Sequence, residues 1–95
     1  MSEAREKRAQ EIQKAIGEIL MQYWDPIGVS DFPEAEGEYD SYIGPVYRVL
    51  AGSRAEEEII SYLSHVESNV IGLGSADRDR LRRVAGRLLA VDVRL

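Results

Sequence analysis

Residues 23–29 read Tyr-Trp-Asp-Pro-Ile-Gly-Val, and this stretch decides where the first helix ends. Asp25, Pro26 and Gly28 stand at the first, second and fourth positions of a turn, where a type I turn favours these residue types. The proline also pushes the residue before it out of helical geometry. The sequence therefore predicts a helix that ends at Trp24 and a chain that reverses direction directly after it.

The chain before this turn carries the apolar pattern of one amphipathic helix. Its apolar residues recur at spacings of four, three, one and three, which places them on one face of a helix. They are Ile12, Ile16, Ile19, Leu20 and Tyr23. We therefore predict a first helix over residues 2–24 that packs against the rest of the protein along a single stripe.

A second helix is predicted to begin at Asp31 or later, near Glu38, because acidic residues suit the positive end of a helix dipole. Its apolar face comprises Tyr39, Tyr42, Ile43, Val46 and Leu50. Pro45 lies inside this pattern, where its ring crowds the carbonyl group of Ser41. With Gly44 beside it, we expect a kink or a broken first turn at this point.

Two further helices follow Gly52, which we expect to end the second helix. Ser53 and Glu56 have the spacing of a capping box, in which each side chain bonds a free amide of the other residue. The apolar face of the third helix comprises Ile59, Ile60, Leu63, Val66 and Val70. The Gly-Leu-Gly sequence at residues 72–74 is expected to end it, and Ser75 to cap the fourth helix. The stripe of the fourth helix comprises Leu81, Val84, Ala85, Leu88 and Leu89.

Four helices with short connections predict an all-α fold in which neighbouring helices run antiparallel. The alternating residues 91–95 are too few, and have no evident partner, for a convincing strand. No internal repeat, low-complexity segment or linker divides the chain. We therefore predict a single compact four-helix domain over residues 1–95, with its second helix kinked near Pro45.

The composition bounds the class of protein. A chain of 95 residues buries about two thirds of its unfolded surface, enough to fold without cross-links. Cysteine is absent, which excludes disulfides and cysteine nucleophiles and fits a reducing compartment. No 18 consecutive residues are apolar, at the N-terminus or elsewhere, so a signal peptide and a membrane span are both disfavoured. We expect a cytoplasmic protein.

Charge is distributed unevenly along the chain. Residues 1–24 carry four acids and four bases, residues 25–71 carry ten acids and two bases, and residues 72–95 carry three acids and six arginines. The middle segment therefore has a net charge of −8, and the last segment has one of +3. The acidic and basic segments can attract each other, within one molecule or between two. Alternatively, both are ordinary solvated surfaces of helices.

Aromatic and acidic residues concentrate around the first turn, and they form the candidate site. The candidate binding residues are Trp24, Asp25, Glu34, Glu36, Glu38, Tyr39, Asp40 and Tyr42. Trp24 and the tyrosines suit a hot spot for a partner, because rigid rings give much contact area for little lost entropy. Trp24 equally suits a plug at the base of the bundle, with its indole N–H bonded to a nearby carbonyl group. Asp25 also suits a turn residue that bonds the backbone near Gly28.

A catalytic or metal site is the alternative for these acids, with Asp25, Asp40 and His65 as its residues. The spacing does not favour it, because Glu38 and Asp40 fall on different faces of a helix and no metal-ligand pattern is present. The motifs of serine hydrolases, phosphate loops and dinucleotide sites are also missing. We therefore expect no cofactor and no metal, and we expect His65 to be a surface or boundary residue.

The last predicted helix is rich in arginine. Its arginines are Arg78, Arg80, Arg82, Arg83 and Arg87. They spread around three sides of a helix, and the acidic remainder of the protein would repel a polyanion. Nucleic-acid binding is therefore disfavoured, and we expect ion pairs within the molecule or with a partner.

Several segments of the chain together resemble a known family. They are Trp-Asp-Pro-Ile-Gly-Val at residues 24–29, Glu-Tyr-Asp-Ser-Tyr-Ile at 38–43, Val-Tyr-Arg-Val-Leu at 46–50 and Glu-Glu-Ile-Ile-Ser-Tyr-Leu at 57–63. This string is similar to small bacterial proteins of the family labelled domain of unknown function 1871. The resemblance covers residues 12–73 and leaves the arginine-rich end outside. It implies a compact helical fold, a bacterial origin and no established activity.

The sequence favours a non-enzymatic protein–protein interaction module whose surface around residues 24–42 binds a basic protein. By analogy with small acidic inhibitor or immunity proteins, we expect this protein to mask the cationic cleft of a partner such as a toxin. The alternative is a small enzyme or metal-dependent sensor that uses Asp25, Asp40 and His65. Close approach of these three side chains in a pocket would favour the enzyme, whereas an acidic face with exposed aromatic residues would favour the interaction module.

Overall fold

Four α-helices form the framework of the protein in a computed structural model, which describes residues 2–26, 28, 32, 34, 37–72 and 77–94. Helix α1 spans Ser2–Ile19, α2 spans Ile43–Ala51, α3 spans Glu56–His65 and α4 spans Arg78–Leu89. Helix α1 packs on α2 and α4, and α3 also packs on α2 and α4. The described residues contain no strand, and none of their helices has the length and apolarity needed to cross a membrane. The predicted all-α, four-helix fold is confirmed.

The first helical run continues past α1 to Trp24, because its last turn widens into a π-helix over Leu20–Trp24. The amide N–H of Asp25 closes this segment by donating to the carbonyl oxygen of Leu20 at 2.8 Å. Asp25 then adopts left-handed backbone angles, with φ of 31°. The N–H of Gly28 donates to the carbonyl oxygen of Asp25 at 3.2 Å, which is the hydrogen bond of a four-residue turn. The predicted helix end at Trp24 is confirmed.

Helix α3 is extended in the same way, by a π-helix over Val66–Ile71. Gly72 ends it with left-handed backbone angles, φ of 84°, and its N–H donates to the carbonyl oxygen of Glu67. A π-helix has more residues per turn than an α-helix, so the residues that face inward change. The expectation that Val70 continues the buried stripe is therefore wrong: Val70 is 60% exposed, and Glu67 is buried instead.

Pro45 lies in the first turn of α2, where its missing N–H removes no helical hydrogen bond. The residues before α2 form a 3₁₀ turn over Asp40–Tyr42, and the N–H of Tyr42 donates to the carbonyl oxygen of Tyr39 at 3.0 Å. The disturbance expected near Pro45 therefore takes the form of a broken first turn. The helical structure that leads into α2 starts at Asp40, near Glu38, the later of the two predicted positions. The described residue Glu34 has a 3₁₀ conformation, and Asp31 lies outside the described residues.

The capping box predicted before α3 is wrong. The residue that precedes α3 is Ala55, whose side chain makes no capping bond. Arg54 has a positive φ of 55°, so the chain turns there and Ser53 lies two residues before the cap. Its hydroxyl donates to the Glu58 carboxylate at 2.8 Å and accepts from the Ala55 N–H at 3.4 Å. Ser53 thus supports the first turn of α3 without pairing with Glu56.

Asp77 caps α4, because its carboxylate accepts from the N–H groups of Asp79 at 3.0 Å and Arg80 at 3.2 Å. Asp and Ser are both good capping residues, and the sequence offers each within a few positions of the helix. The predicted capping residue Ser75 lies outside the described residues, as does Gly74. Gly52, in contrast, ends α2 as predicted, and its N–H donates to the carbonyl oxygen of Arg48 at 3.1 Å.

The core is built from the apolar faces that periodicity predicts. Its buried residues are Ile12, Ile16, Leu20, Trp24, Tyr39, Val46, Leu50, Ile59, Ile60, Leu63, Val66, Leu81, Val84, Ala85, Leu88 and Val93. Tyr42, Ile43 and Leu89 are partly buried against this core. Tyr23 is an exception, since 45% of its surface is exposed where the first helical run ends.

The C-terminal tail is fastened to α1 by Arg8. The guanidinium of Arg8 donates to the carbonyl oxygens of Asp92 at 2.6 Å and Arg94 at 3.1 Å, and Val93 between them is buried. The Arg94 side chain and N–H both bond the Asp92 carboxylate and hold its pKa well below its usual range. The tail therefore packs against the helices without regular secondary structure.

Replacing Leu63 or Leu88 by alanine should lower the free energy of unfolding by about 2–5 kcal/mol, because both side chains are fully buried. Val70→Ala removes apolar atoms at an exposed position of the same helical run and should change it by less than about 0.5 kcal/mol. Chemical denaturation followed by circular dichroism measures all three. A loss below about 1 kcal/mol for both leucine variants would mean that the core faces are misassigned.

Candidate functional site

Trp24 is buried where the two π-helical segments meet, and only 2% of its surface is exposed. Its indole Nε1–H donates to Oε2 of Glu67 at 2.7 Å. Arg80 from α4 donates to the same carboxylate oxygen at 2.7 Å and to the carbonyl oxygen of Trp24 at 3.0 Å. One carboxylate thus receives a neutral donor and a cation, which are strong partners for a buried charge. This network joins the ends of three helical runs.

The network confirms the packing interpretation of Trp24 and corrects its expected partner, which is a carboxylate and not a carbonyl group. Glu67 is 4% exposed and is the one buried charged residue among those described. Sequence reasoning missed it because only apolar residues were assigned to the buried face, although Glu67 lies on the same helix face as Ile60 and Leu63, at i+7 and i+4. The available signals were the indole N–H of Trp24 and the guanidinium groups of an arginine-rich helix, because both are donors that need an acceptor when they are buried.

The aromatic residues form a packed cluster around Trp24. Its ring centroid lies 5.2 Å from that of Tyr39 and 5.6 Å from that of Tyr42, the latter edge to face, a geometry that the quadrupoles of aromatic rings favour. Tyr39 is 2% exposed, and its hydroxyl donates to Oδ1 of Asp25 at 2.7 Å. Trp24 and Tyr39 therefore offer almost no surface to a partner, which corrects their place among the binding residues. Tyr42 is half-buried.

A groove of about 370 Å³ lies between α1 and the start of α2. Its lining residues are Gln13, Lys14, Gly17, Glu18, Met21, Gln22, Gly37, Tyr39, Asp40 and Ile43. A shallower hollow beside it shares Gln13, Asp40 and Ile43 and extends to Gly44 and Tyr47. Gly17 lets the helices approach, since a Cβ atom there would lie 3.1 Å from Cδ1 of Ile43. We call this feature the α1–α2 groove.

Acidic residues border the α1–α2 groove on its α2 side. Asp40 lines it, and Glu38 lies between the lining residues Gly37 and Tyr39. Glu34, Glu38 and Asp40, here called the acidic segment, are exposed and form no ion pair within the described part of the chain. The predicted binding residue Glu36 lies outside the described residues, as does the acid Asp31 earlier in the chain.

The acids of α3, in contrast, are paired with the arginines of α4. Arg78 lies 2.6 Å from the Glu57 carboxylate, and Arg82 lies 3.5 Å from that of Glu56. These pairs are exposed and each contributes only some tenths of a kcal/mol to stability. The acidic middle and the basic end of the chain thus attract each other within one molecule. The excess negative charge of the protein then lies on acids outside these pairs.

The alternative site of Asp25, Asp40 and His65 is not assembled. No group of three His, Asp or Glu side chains suited to a metal ion occurs among the residues that the structure describes. His65 is exposed, with its Nδ1 atom 3.0 Å from the side-chain amide nitrogen of Asn69. The geometry that would favour an enzyme or metal sensor is therefore not met by these three residues.

Comparison with known proteins gives no match to any family model, curated protein or solved structure. The resemblance carried by residues 12–73 therefore stays a prediction. The candidate site is accordingly interpreted from its own geometry, which combines a buried polar network, a groove and an uncompensated acidic segment.

Replacing Glu67 by alanine should lower the free energy of unfolding by about 2–3 kcal/mol, because the Trp24 indole and the Arg80 guanidinium both lose a buried acceptor. Glu67→Gln keeps an acceptor oxygen for the indole and should cost less. Glu57→Ala makes the same chemical change at an exposed ion pair and should cost less than about 1 kcal/mol.

Denaturation followed by circular dichroism, with the fluorescence of the single tryptophan as a second probe, measures these losses. Equal destabilisation by Glu67→Ala and Glu57→Ala would contradict the role assigned to the buried carboxylate.

Proposed function

We propose that this protein is a non-enzymatic interaction module that binds a basic protein through the α1–α2 groove and the acidic segment. The observation that supports it most is the distribution of uncompensated charge. Arginines of α4 pair with Glu56, Glu57 and Glu67, whereas the acidic segment beside the groove has no ion pair among the described residues. The carboxylates of Asp40 and Glu38 beside the groove thus keep their negative charge uncompensated, which would attract a cationic partner.

The lining of the α1–α2 groove suits the side chain of a lysine or arginine. Met21 and Ile43 provide apolar surface for an aliphatic stem, while Asp40 and Glu18 provide carboxylates for the charged head group. Lys14 also lines the groove, so it would repel a cationic group from its own side and restrict the orientation of the bound segment. The groove therefore favours an extended basic segment over an isolated cation.

The buried aromatic cluster supports this surface from below. Tyr39 lines the groove and is held by Trp24 on one side and by Asp25 on the other. A lining that is already fixed in the free protein loses less conformational entropy when a partner binds. Trp24, Asp25 and Tyr39 thus act as positioning residues, and the contact residues are Glu34, Glu38, Asp40 and the half-buried Tyr42, with Glu36 beside them in sequence.

We extend this function to an inhibitor or immunity-type role, in which the acidic surface covers the cationic cleft of a partner such as a toxin. Complementary charge accelerates the encounter and suppresses binding to partners of the wrong charge. The absence of cysteine is in keeping with action in the cytoplasm. We also propose that the chain is related to the bacterial family labelled domain of unknown function 1871, which the segments at residues 24–29, 38–43, 46–50 and 57–63 resemble.

Reversing Glu34 and Glu38 to lysine should slow association with the partner by about tenfold at low salt, because long-range attraction controls the encounter. The matched control reverses Glu3 and Glu6, two exposed acids near the start of α1, which gives the same net charge with the acidic segment intact. Tagged wild-type protein captures the partner from the host, and binding rates are then measured at low and high salt.

Each variant also needs a melting curve, so that slower binding is not confused with unfolding. The control pair should associate at close to the wild-type rate. If both pairs slow association equally, only total charge matters and the acidic segment is not the binding surface. If neither pair changes it, the binding site lies elsewhere on the protein.

A further inference from the structure

A second, smaller groove of about 160 Å³ lies between the end of the first helical run and α4. It is lined by Tyr23, Arg80, Arg83, Val84 and Arg87, and it shares no residue with the α1–α2 groove. The three arginines stand at positions i, i+3 and i+7, which fall on one face of a helix. Three guanidinium groups therefore border one hollow, which we call the arginine groove.

The three arginines differ in the groups that their guanidinium groups already contact. Arg80 is anchored by the Trp24 carbonyl oxygen and by the Glu67 carboxylate, so its charge is compensated. The guanidinium of Arg87 lies over the ring of Tyr23, 3.8 Å from the centroid, and stacking leaves the N–H groups at its edge able to donate. Arg83 is exposed. Within the described residues, neither Arg83 nor Arg87 has a carboxylate partner.

This arrangement departs from the rest of α4. Arg78 and Arg82 on the same helix each pair with an acid of α3, whereas Arg83 and Arg87 are like charges four residues apart, a spacing that destabilises a helix. An oxyanion between them would relieve this repulsion. The planar guanidinium forks would also present paired N–H donors that match the oxygen atoms of phosphate or carboxylate.

We propose that the arginine groove binds the dianionic phosphate group of a small phosphomonoester. The two uncompensated charges of Arg83 and Arg87 match a dianion better than a monoanion. The volume of the groove suits one such group, and the acidic remainder of the surface repels a long polyanion. The exposed part of the Tyr23 ring adds apolar surface for the organic part of the ester. This site is independent of the function proposed for the α1–α2 groove.

Phenyl phosphate is the probe for this site, titrated at constant ionic strength into isotope-labelled protein. Saturable shifts are expected in the nuclear magnetic resonance signals of Tyr23 and of the Arg83 and Arg87 side chains. Benzoate, a monoanion of similar shape, should bind about tenfold more weakly, because it forms fewer charge-assisted hydrogen bonds. The affinity for phenyl phosphate should fall between about pH 7.5 and about pH 5, as the phosphate takes up its second proton.

Two variants and one control localise the site. Arg83→Gln and Arg87→Gln should each weaken phenyl phosphate binding by about tenfold, because each removes one charged donor group. Arg5→Gln makes the same change at an exposed position of α1 and should leave binding unchanged. Arg83 is exposed and unpaired among the described residues, so its variant should keep the wild-type melting temperature and remains informative even if Arg87→Gln unfolds.

The source of the phosphomonoester is tested by a further arm, in which a neutral peptide that carries one phosphoserine replaces phenyl phosphate. Tighter binding of the peptide would assign the site to a phosphorylated protein, and weaker binding would assign it to a free ester. The proposal is overturned if the shifts do not saturate, if benzoate binds as well as phenyl phosphate, or if Arg5→Gln weakens binding as much as Arg83→Gln.

Discussion

The buried carboxylate of Glu67, shared by the Trp24 indole and the Arg80 guanidinium, is the interaction on which the rest of the structure depends. A charge removed from water is costly unless well-placed partners compensate it. The network therefore fixes the positions of the ends of three helical runs relative to one another. Both π-helical segments serve this meeting, since one carries Trp24 and the other carries Glu67. The fixed indole in turn positions Tyr39, and Tyr39 holds Asp25 at the turn.

The arginines of α4 divide the surface into regions of different charge. Those that face α3 pair with its acids, and Arg80 compensates Glu67. The carboxylates of the acidic segment and the guanidinium groups of Arg83 and Arg87 are among the charges that form no ion pair in the described part of the chain. Asp40 and the two arginines line different grooves. The proposed binding of a basic partner and the proposed binding of a small anion would therefore use different surfaces.

Much of the fold could be predicted from the sequence, because helix stripes and helix ends are local signals. The apolar period located the core, and the Asp-Pro-Ile-Gly stretch located the end of the first helix. Val70 was misassigned because the π-helical turn changes which residues face inward, and Ser53 because a positive φ at Arg54 displaces the helix start. Glu67 was missed because a charged residue was not expected on the buried face, although its spacing from Leu63 places it there. The burial of Trp24 could not be decided, since an aromatic residue at a helix end suits both packing and binding; its partner lies 43 residues away.

Hydrogen exchange of the Trp24 indole proton tests the central claim most directly, because the protein has one tryptophan and therefore one indole signal. If the indole is buried and bonded to Glu67, its proton should exchange only when the whole domain unfolds, with the same opening free energy as the backbone amides of core residues such as Leu63. Exchange at the rate of an exposed tryptophan side chain, while the core amides remain protected, would contradict the network and the support that it gives to the groove.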